Sequence, residues 1–287
     1  MKNELEEAGI TEQELERMKH VMQEAFKKRP PTIGVIGVSG VGKSTTINTL
    51  FKTNLPTSDT VRCTTEFEDV ELKVSANYGA KTSANIRLRV FDAPGLGEDI
   101  SKDPEYLKMY NRYLPECDVI LWIMTARNRA VALDQKYLQE LSEFSDRIVF
   151  GINQVDLVEP INWTRDSNEF FVPTKSQEEN LGEIIRDRGD RLESIINRKP
   201  ALTGYGAAQE YGMMELFRHI IDNAPEDRKW MFDAIRKVTP EGFLNGLSES
   251  QLDQVERYVK SSVAGKSRKP VEESWLKKKI LGLKIKE

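Results

Sequence analysis

The 287-residue chain predicts an α/β fold in which a mostly parallel, six-stranded sheet is flanked by helices, with a small helical region added by its two ends. Three observations lead there. Thr32-Ile33-Gly34-Val35-Ile36-Gly37 is a short apolar strand that runs through a glycine-rich turn into a helical stretch at Lys43–Phe51. Val119-Ile120-Leu121-Trp122-Ile123-Met124 and Ile148-Val149-Phe150-Gly151-Ile152 are uninterrupted apolar runs, the pattern of parallel strands covered on both faces. Helical patterns alternate with such strands from about Thr32 to Asn223, and that alternation calls for crossover connections and parallel pairing.

Taken in order, Thr11 to Lys28 reads as an amphipathic helix. Leu15, Met18, Val21, Met22 and Phe26 recur near 3.6-residue spacing, Thr11 and Glu14 fit a capping box, and Pro30-Pro31 stops the helix. Phe67 to Val74 and Ile86 to Phe91 alternate apolar and charged residues as half-exposed strands do, with Asn77 to Asn85 expected as the loop of a hairpin. Leu133 to Phe144 is helical. Pro160 to Arg198 is a polar insertion before the last strand, with a helix expected over Gln177 to Asn197. Beyond Pro225 only helical patterns remain, Arg228 to Val238 and Ser248 to Ala264. The expected division is therefore an N-terminal helix over 1–30, the α/β domain over 31–224, and a helical C-terminal region over 225–287.

Composition narrows the classes. Forty-two Lys and Arg against 46 Asp and Glu give a net charge of −4, so the chain does not grip nucleic acid by bulk charge. The exception is local: Gly265 to Glu287 carries eight basic and three acidic residues interleaved with Trp275, Leu276, Ile280, Leu283 and Ile285, a tail that could meet an anionic membrane surface or RNA, or pack on the N-terminal helix. Two cysteines, Cys63 and Cys117, are too few for a disulfide framework or a four-ligand zinc site. No leader-like apolar run and no span of ~18 uncharged residues occurs, and the expected location is cytoplasmic.

The chemistry lies in three short motifs in one order. Gly37-Val38-Ser39-Gly40-Val41-Gly42-Lys43-Ser44 matches GxxxxGK[ST] between a strand and a helix. Its backbone N–H groups can wrap a phosphate at a helix N-terminus, which makes Gly37, Ser39, Gly40, Val41, Gly42, Lys43, Ser44 and the following Thr45 the candidate phosphate-binding set. Lys43 would neutralise β and γ oxygens and Ser44 would ligate Mg²⁺. Next, Asp92-Ala93-Pro94-Gly95 closes a strand, placing a carboxylate for the Mg²⁺ shell and a Gly95 N–H for a γ-phosphate. Third, Asn153-Gln154-Val155-Asp156 follows the apolar run at 148–152. The two acceptors of Asp156 match the ring imino hydrogen and the exocyclic amine of guanine, whereas adenine offers an acceptor beside a donor, so guanine is the expected base. Asn153 would tie this loop to the phosphate loop.

These motifs, covering about Thr32 to Asn223, resemble the translation-factor-related P-loop GTPases of the Era-like branch and are similar also to immunity-related GTPases and small bacterial relatives. The resemblance implies GTP as substrate, GDP as product and Mg²⁺ as cofactor. The family's base motif is usually NKxD, and Gln154 stands here for the lysine. Its final base motif, usually Ser-Ala, is matched best by Pro200-Ala201, which assigns Ala201 to the base. The resemblance also implies a switch threonine in the Mg²⁺ shell; Thr64 is favoured over Thr60 and Thr65, and with Lys43 and Gly95 it completes the candidate catalytic set. Where many regulatory members carry a water-orienting glutamine, this chain has Leu96, so the water must be oriented by another group. Arg62, Arg127, Arg129 and Glu98 are candidates, within one chain or across a homodimer formed over the nucleotide face. Three functions follow: a GTP-hydrolysing switch with an effector still to be identified, a GTP-dependent self-assembling scaffold, and an ATP-using P-loop kinase or ATPase.

Overall fold

The computed structural model describes Arg17, His20, Val21 and residues 24–51, 68–78, 80–97, 101–127, 132–161, 163–165 and 171–237. The apolar runs fold as their composition dictates. All of β1 (Thr32–Ile36) and β5 (Ile148–Asn153) is buried, as is β4 (Val119–Thr125) up to its last residue. Such strands need cover on both faces, and parallel pairing with crossover helices supplies it. Ile33 lies beside Val119 and Val35 beside Leu121, while Ile120 lies beside Ile148. Outside this trio, β3 (Ala80–Asp92) pairs in parallel with β1 and β8 (Leu202–Gly204) in parallel with β5. With β2 (Glu68–Tyr78) at one edge the sheet has six strands in the order β2-β3-β1-β4-β5-β8, five of them mutually parallel.

Among the described residues four helices connect the strands of this sheet, α1 (Lys43–Phe51), α2 (Asp103–Tyr113), α3 (Ala132–Glu140) and α4 (Lys175–Ile196), and a fifth, α5 (Met213–Asn223), follows its last strand. On one face of the sheet, Ile36, Phe91, Trp122, Met124, Phe150 and Ile152 join Tyr110 of α2, Leu138 of α3 and Leu192 of α4 in one core. Each such side chain contributes about 1.5–3 kcal/mol on burial. Elsewhere α1 and α5 meet through an edge-to-face contact of Phe51 and Phe217, centroids 5.7 Å apart. The apolar residues of α5 fall at Met213, Leu216, Phe217, Ile220 and Ile221, the spacing that lines one helix face.

Two expectations are corrected. Asn77 to Asn85 is not a loop: β2 continues to Tyr78 and β3 begins at Ala80. Apolar alternation reports burial, whereas a ladder of backbone hydrogen bonds can run on through a polar stretch that has no such pattern. Helix α4 starts two residues earlier than its periodicity, because Thr174 caps it; the Gln177 side chain accepts the Thr174 N–H at 3.1 Å. Within the insertion a short antiparallel pair forms, β6 (Thr164–Arg165) with β7 (Phe171–Val172).

The chain divides into two compact units, one of Thr32–Val70 and Leu88–Ala224, the other of Met1–Pro31, Glu71–Arg87 and Pro225–Glu287. In the second unit, α6 (Lys229–Lys237) buries Trp230, Met231, Phe232 and Ile235. Trp230 meets Phe26 edge to face at 5.8 Å, and the buried Arg228 donates to the carbonyls of Arg29 and Pro30, each at 2.9 Å. The expected capping box at Thr11, the helix at 248–264 and the basic tail lie outside the described residues. Among the described residues no helix is long and apolar enough to cross a membrane.

Candidate functional site

Because β1, β3, β5 and β8 run parallel, the loops that follow them leave from one edge of the sheet, the place where open α/β sheets bind ligands. The loop after β1 holds Gly37, Gly40 and Gly42 at φ of 147°, 77° and 86°, values that L side chains rarely adopt. At Gly42 the space is also taken, since a Cβ would stand 2.5 Å from Nδ2 of Asn153. Ser39 and Gly40 are exposed, Val41 is buried, and Ser44 and Thr45 sit half-buried in the first turn of α1. Lys43 lies over the loop, its Nζ 3.4 Å from the Gly37 carbonyl and 3.3 Å from that of Val38. Backbone N–H groups, a helix N-terminus and an ammonium thus gather at one point, an arrangement suited to an anion.

The loop after β3 is packed onto the first. Ser44 donates its hydroxyl to Asp92 Oδ2 at 2.8 Å, and Val38 bridges to Leu96. Gly95 must be glycine for steric reasons, because a Cβ there would approach the Ser39 nitrogen to 2.7 Å and its Cα to 2.8 Å. The rear of this loop is fixed from the helices. Tyr110 donates its hydroxyl to the Pro94 carbonyl, the Gly97 N–H donates to Asp103 Oδ1 at 3.0 Å, and Tyr137 donates to Asp103 Oδ2. Burial, followed by the contact with Asp103, pushes the Tyr137 phenol up to about 12, which keeps it a donor. Leu96 is 1% exposed and belongs to the core under α2 and α3. The hydroxyl of Ser44 beside the carboxylate of Asp92 is a pair of hard oxygen donors of the kind Mg²⁺ accepts, so these residues fit that ion.

At the other end, Asn153 is buried and joins three segments. Its Nδ2 donates to the Val41 carbonyl at 2.8 Å, and its Oδ1 accepts the Ala207 N–H at 3.1 Å. Gln154 takes the left-handed conformation, φ 62°, and donates Nε2 to the Gly40 carbonyl at 3.2 Å. Asp156 Oδ2 accepts from Gln209 Nε2 at 3.0 Å. Beneath them Tyr205 is fully buried, its hydroxyl 2.9 Å from that of Thr46 and its N–H donating to the Ile152 carbonyl. His219 Nδ1 is paired with Thr203 Oγ1 at 2.6 Å.

The structure therefore brings Gly37, Ser39, Gly40, Val41, Gly42, Lys43, Ser44, Thr45, Asp92, Gly95, Asn153, Gln154 and Asp156 to one sheet edge. It does not bring Ala201 there, which corrects that expectation. Ala201 precedes β8 and offers its carbonyl to the Phe150 N–H, so it stands beside the middle of β5 while Asp156 lies beyond the end of β5. A parallel strand must be crossed to reach the binding edge, so the residues that meet the Asn153–Asp156 loop come after β8, the Ala207 N–H donating to Asn153 Oδ1 and Gln209 Nε2 to Asp156 Oδ2, with Gly206 between Tyr205 and Ala207. The small pair Gly206-Ala207 directly after the strand was the signal that could have located them. Thr64, Thr60, Thr65, Arg62, Arg129 and Glu98 lie outside the described residues; Arg127 is exposed just after β4.

Comparison with known proteins is in keeping with this geometry. Residues 32–154 match the family described as 50S ribosome-binding GTPase. Over 133 residues the chain is 36% identical to the uncharacterized protein YkfA of Escherichia coli (strain K12), covering 45% of this chain and 43% of that one. Over 127 residues it is 27% identical to the GTPase Era of Ruminiclostridium cellulolyticum, covering 44% and 40%. Among solved structures, Toc33 from Arabidopsis thaliana in complex with GDP and Mg²⁺ superposes with a TM-score of 0.50 at 16% identity, over 74% of this chain and 92% of that one, a likeness of fold. The chain spans less than half the length of the curated relatives it matches.

Proposed function

We propose, from the match of residues 32–154 to a GTPase family, that the protein binds GTP, hydrolyses it to GDP and phosphate, and works as a nucleotide-dependent switch. One observation carries the reading: a chain of side-chain bonds ties the phosphate loop at one end to Asp92 and at the other to Asn153 and the loop of Asp156. A triphosphate and a base bound along that edge would be held by one connected set of loops.

Lys43 swings from its loop carbonyls onto the β and γ oxygens, exchanging neutral acceptors for charged ones. The loop N–H groups hold the β-phosphate, and Gly95, close against Ser39, presents its N–H toward the γ-phosphate. Ser44 and Asp92, with Thr64 as the switch ligand, would hold Mg²⁺, which neutralises charge developing between the β- and γ-phosphates. Asp156 accepts the imino and amino hydrogens of guanine. Water attacks the γ-phosphorus and the bond to the bridging oxygen breaks, releasing GDP. Leu96 is buried away from this event, so the water is oriented by a group outside the loop, supplied by the switch segment, an effector or a second copy docked over the nucleotide face.

The deciding experiment is nucleotide competition. GDP, and not ADP, should displace a fluorescent guanine nucleotide, and Asp156→Asn should move preference from guanine to xanthine nucleotides, whose 2-carbonyl accepts from the new amide. Equal displacement by ADP would overturn the reading in favour of an ATP-using enzyme.

A further inference from the structure

Gln209 lies in no motif, yet it is the residue that holds the carboxylate on which base recognition depends. An ionised carboxylate only accepts, so the amide must turn its nitrogen toward Asp156. That bond, Nε2 to Oδ2 at 3.0 Å, fixes the other end of the amide. Oε1 is buried and, among the described residues, accepts no hydrogen bond. A Cβ at Gly206 would stand 3.0 Å from Gln209 Oε1 and 3.3 Å from Asp156 Oδ1. Two acceptors therefore share the space over one glycine, and one of them has no donor. Buried acceptors in that condition are costly in a folded protein unless a ligand completes them.

Resting on the nucleotide reading above, we propose that Gln209 is a second guanine-reading residue, whose Oε1 accepts the outer hydrogen of the 2-amino group. Guanine presents three N–H bonds on this side. The imino hydrogen and one amino hydrogen meet the two oxygens of Asp156, and the remaining amino hydrogen is the donor that Oε1 lacks. Asp156 Oδ2 has lone pairs enough for both the amine and Gln209 Nε2, so the carboxylate is held in rotation while it binds. Hypoxanthine lacks the 2-amino group and leaves Oε1 uncompleted. Xanthine places a carbonyl there and opposes both acceptors.

The test is affinity for GDP and IDP, which differ only by that amine, measured by calorimetry with Mg²⁺ on the full chain, Gln209→Met and Gln209→Ala. Wild type should prefer GDP, and the preference should narrow about tenfold in both variants, chiefly through weaker GDP binding. Because the ratio is taken within each variant, a loosening that weakens GDP and IDP alike cancels, and a freed Asp156 shows itself by weakening IDP as well, through the imino hydrogen both bases carry; Met keeps the length and bulk of the side chain and decides the matter if Ala does not fold. An unchanged GDP-to-IDP ratio would overturn the proposal. So would tighter binding of both nucleotides, which would make Gln209 a competitor for Asp156. Failure of the underlying reading looks different: wild type would then bind neither GDP nor IDP in preference to ADP.

Discussion

Replacing Asn153 by alanine removes a side chain that bonds the phosphate loop and the loop after β8 at the same time. Two contacts go, the 2.8 Å bond to the Val41 carbonyl and the 3.1 Å bond from the Ala207 N–H, and Val41, Ala207 and Asn153 are all buried. Each lost bond costs about 0.5–1.5 kcal/mol when water can replace it and about 1–3 kcal/mol when a buried group is left unsatisfied. With both buried backbone groups left unsatisfied, the loss is about 2–6 kcal/mol. At about 2–4 °C per kcal/mol for a domain of this size, melting should fall by roughly 4–24 °C. Differential scanning fluorimetry without nucleotide reads that shift. Affinity for GDP should fall at least tenfold as well, since Val41 and Ala207 lose their common anchor. Asn153→Asp should retain the acceptor for Ala207 while setting a carboxylate against the Val41 carbonyl, and so lose affinity without relief. A melting temperature within 1 °C of wild type, with GDP affinity unchanged, would refute the claim that Asn153 joins these loops.

Leu96→Gln places the residue type of many regulatory relatives at its expected position, but the side chain is buried in the core, so the variant should lose about 1–3 kcal/mol of stability and gain no hydrolysis rate; faster turnover at unchanged melting would show that the position faces the nucleotide. Asp134 is buried and accepts the Trp122 indole N–H at 3.0 Å, and desolvation raises its pKa above the ordinary value. A carboxyl with a raised native pKa favours the protonated folded state, so its contribution to stability is greatest below about pH 4 and is lost as pH rises through the raised value. Asp134→Asn keeps an acceptor for Trp122 without the charge, and its melting temperature relative to wild type should climb over that same interval and then level off; a difference independent of pH would argue against burial as the cause.

What the sequence made legible was whatever is written locally. A glycine loop between an apolar strand and a helix needs about 20 neighbouring residues to be recognised, and Lys43–Phe51 was placed at its observed bounds. The runs at 119–124 and 148–152 were legible because strands covered on both faces leave no polar gaps. Legibility failed where the cause is distant. The bond from Gln209 to Asp156 spans 53 positions, and neither residue's neighbours announce it. Pro200-Ala201 matches a Ser-Ala motif locally, and only the pairing of Phe150 with Leu202 shows that Ala201 stands ahead of the last strand and not beyond its end. Leu96 could be seen to replace a glutamine, but that it turns into the core depends on α2 and α3 packing behind it.

The same packing bears on how the domain would report its nucleotide. Gly95 lies against Ser39 with no room for a methyl group, while the residues on either side of it are held from behind, Pro94 by Tyr110 and Gly97 by Asp103. Asp103 is held in turn by Tyr137 of α3. In the proposed switch, a movement of the phosphate loop against Gly95 would press on a loop that α2 and α3 hold from behind. Packed interiors transmit displacement because they have few voids in which to lose it. A switch built this way does not require a glutamine at Leu96. The proposed switch would use that residue as an apolar anchor, since Leu96, together with Ala93, joins the loop to the core.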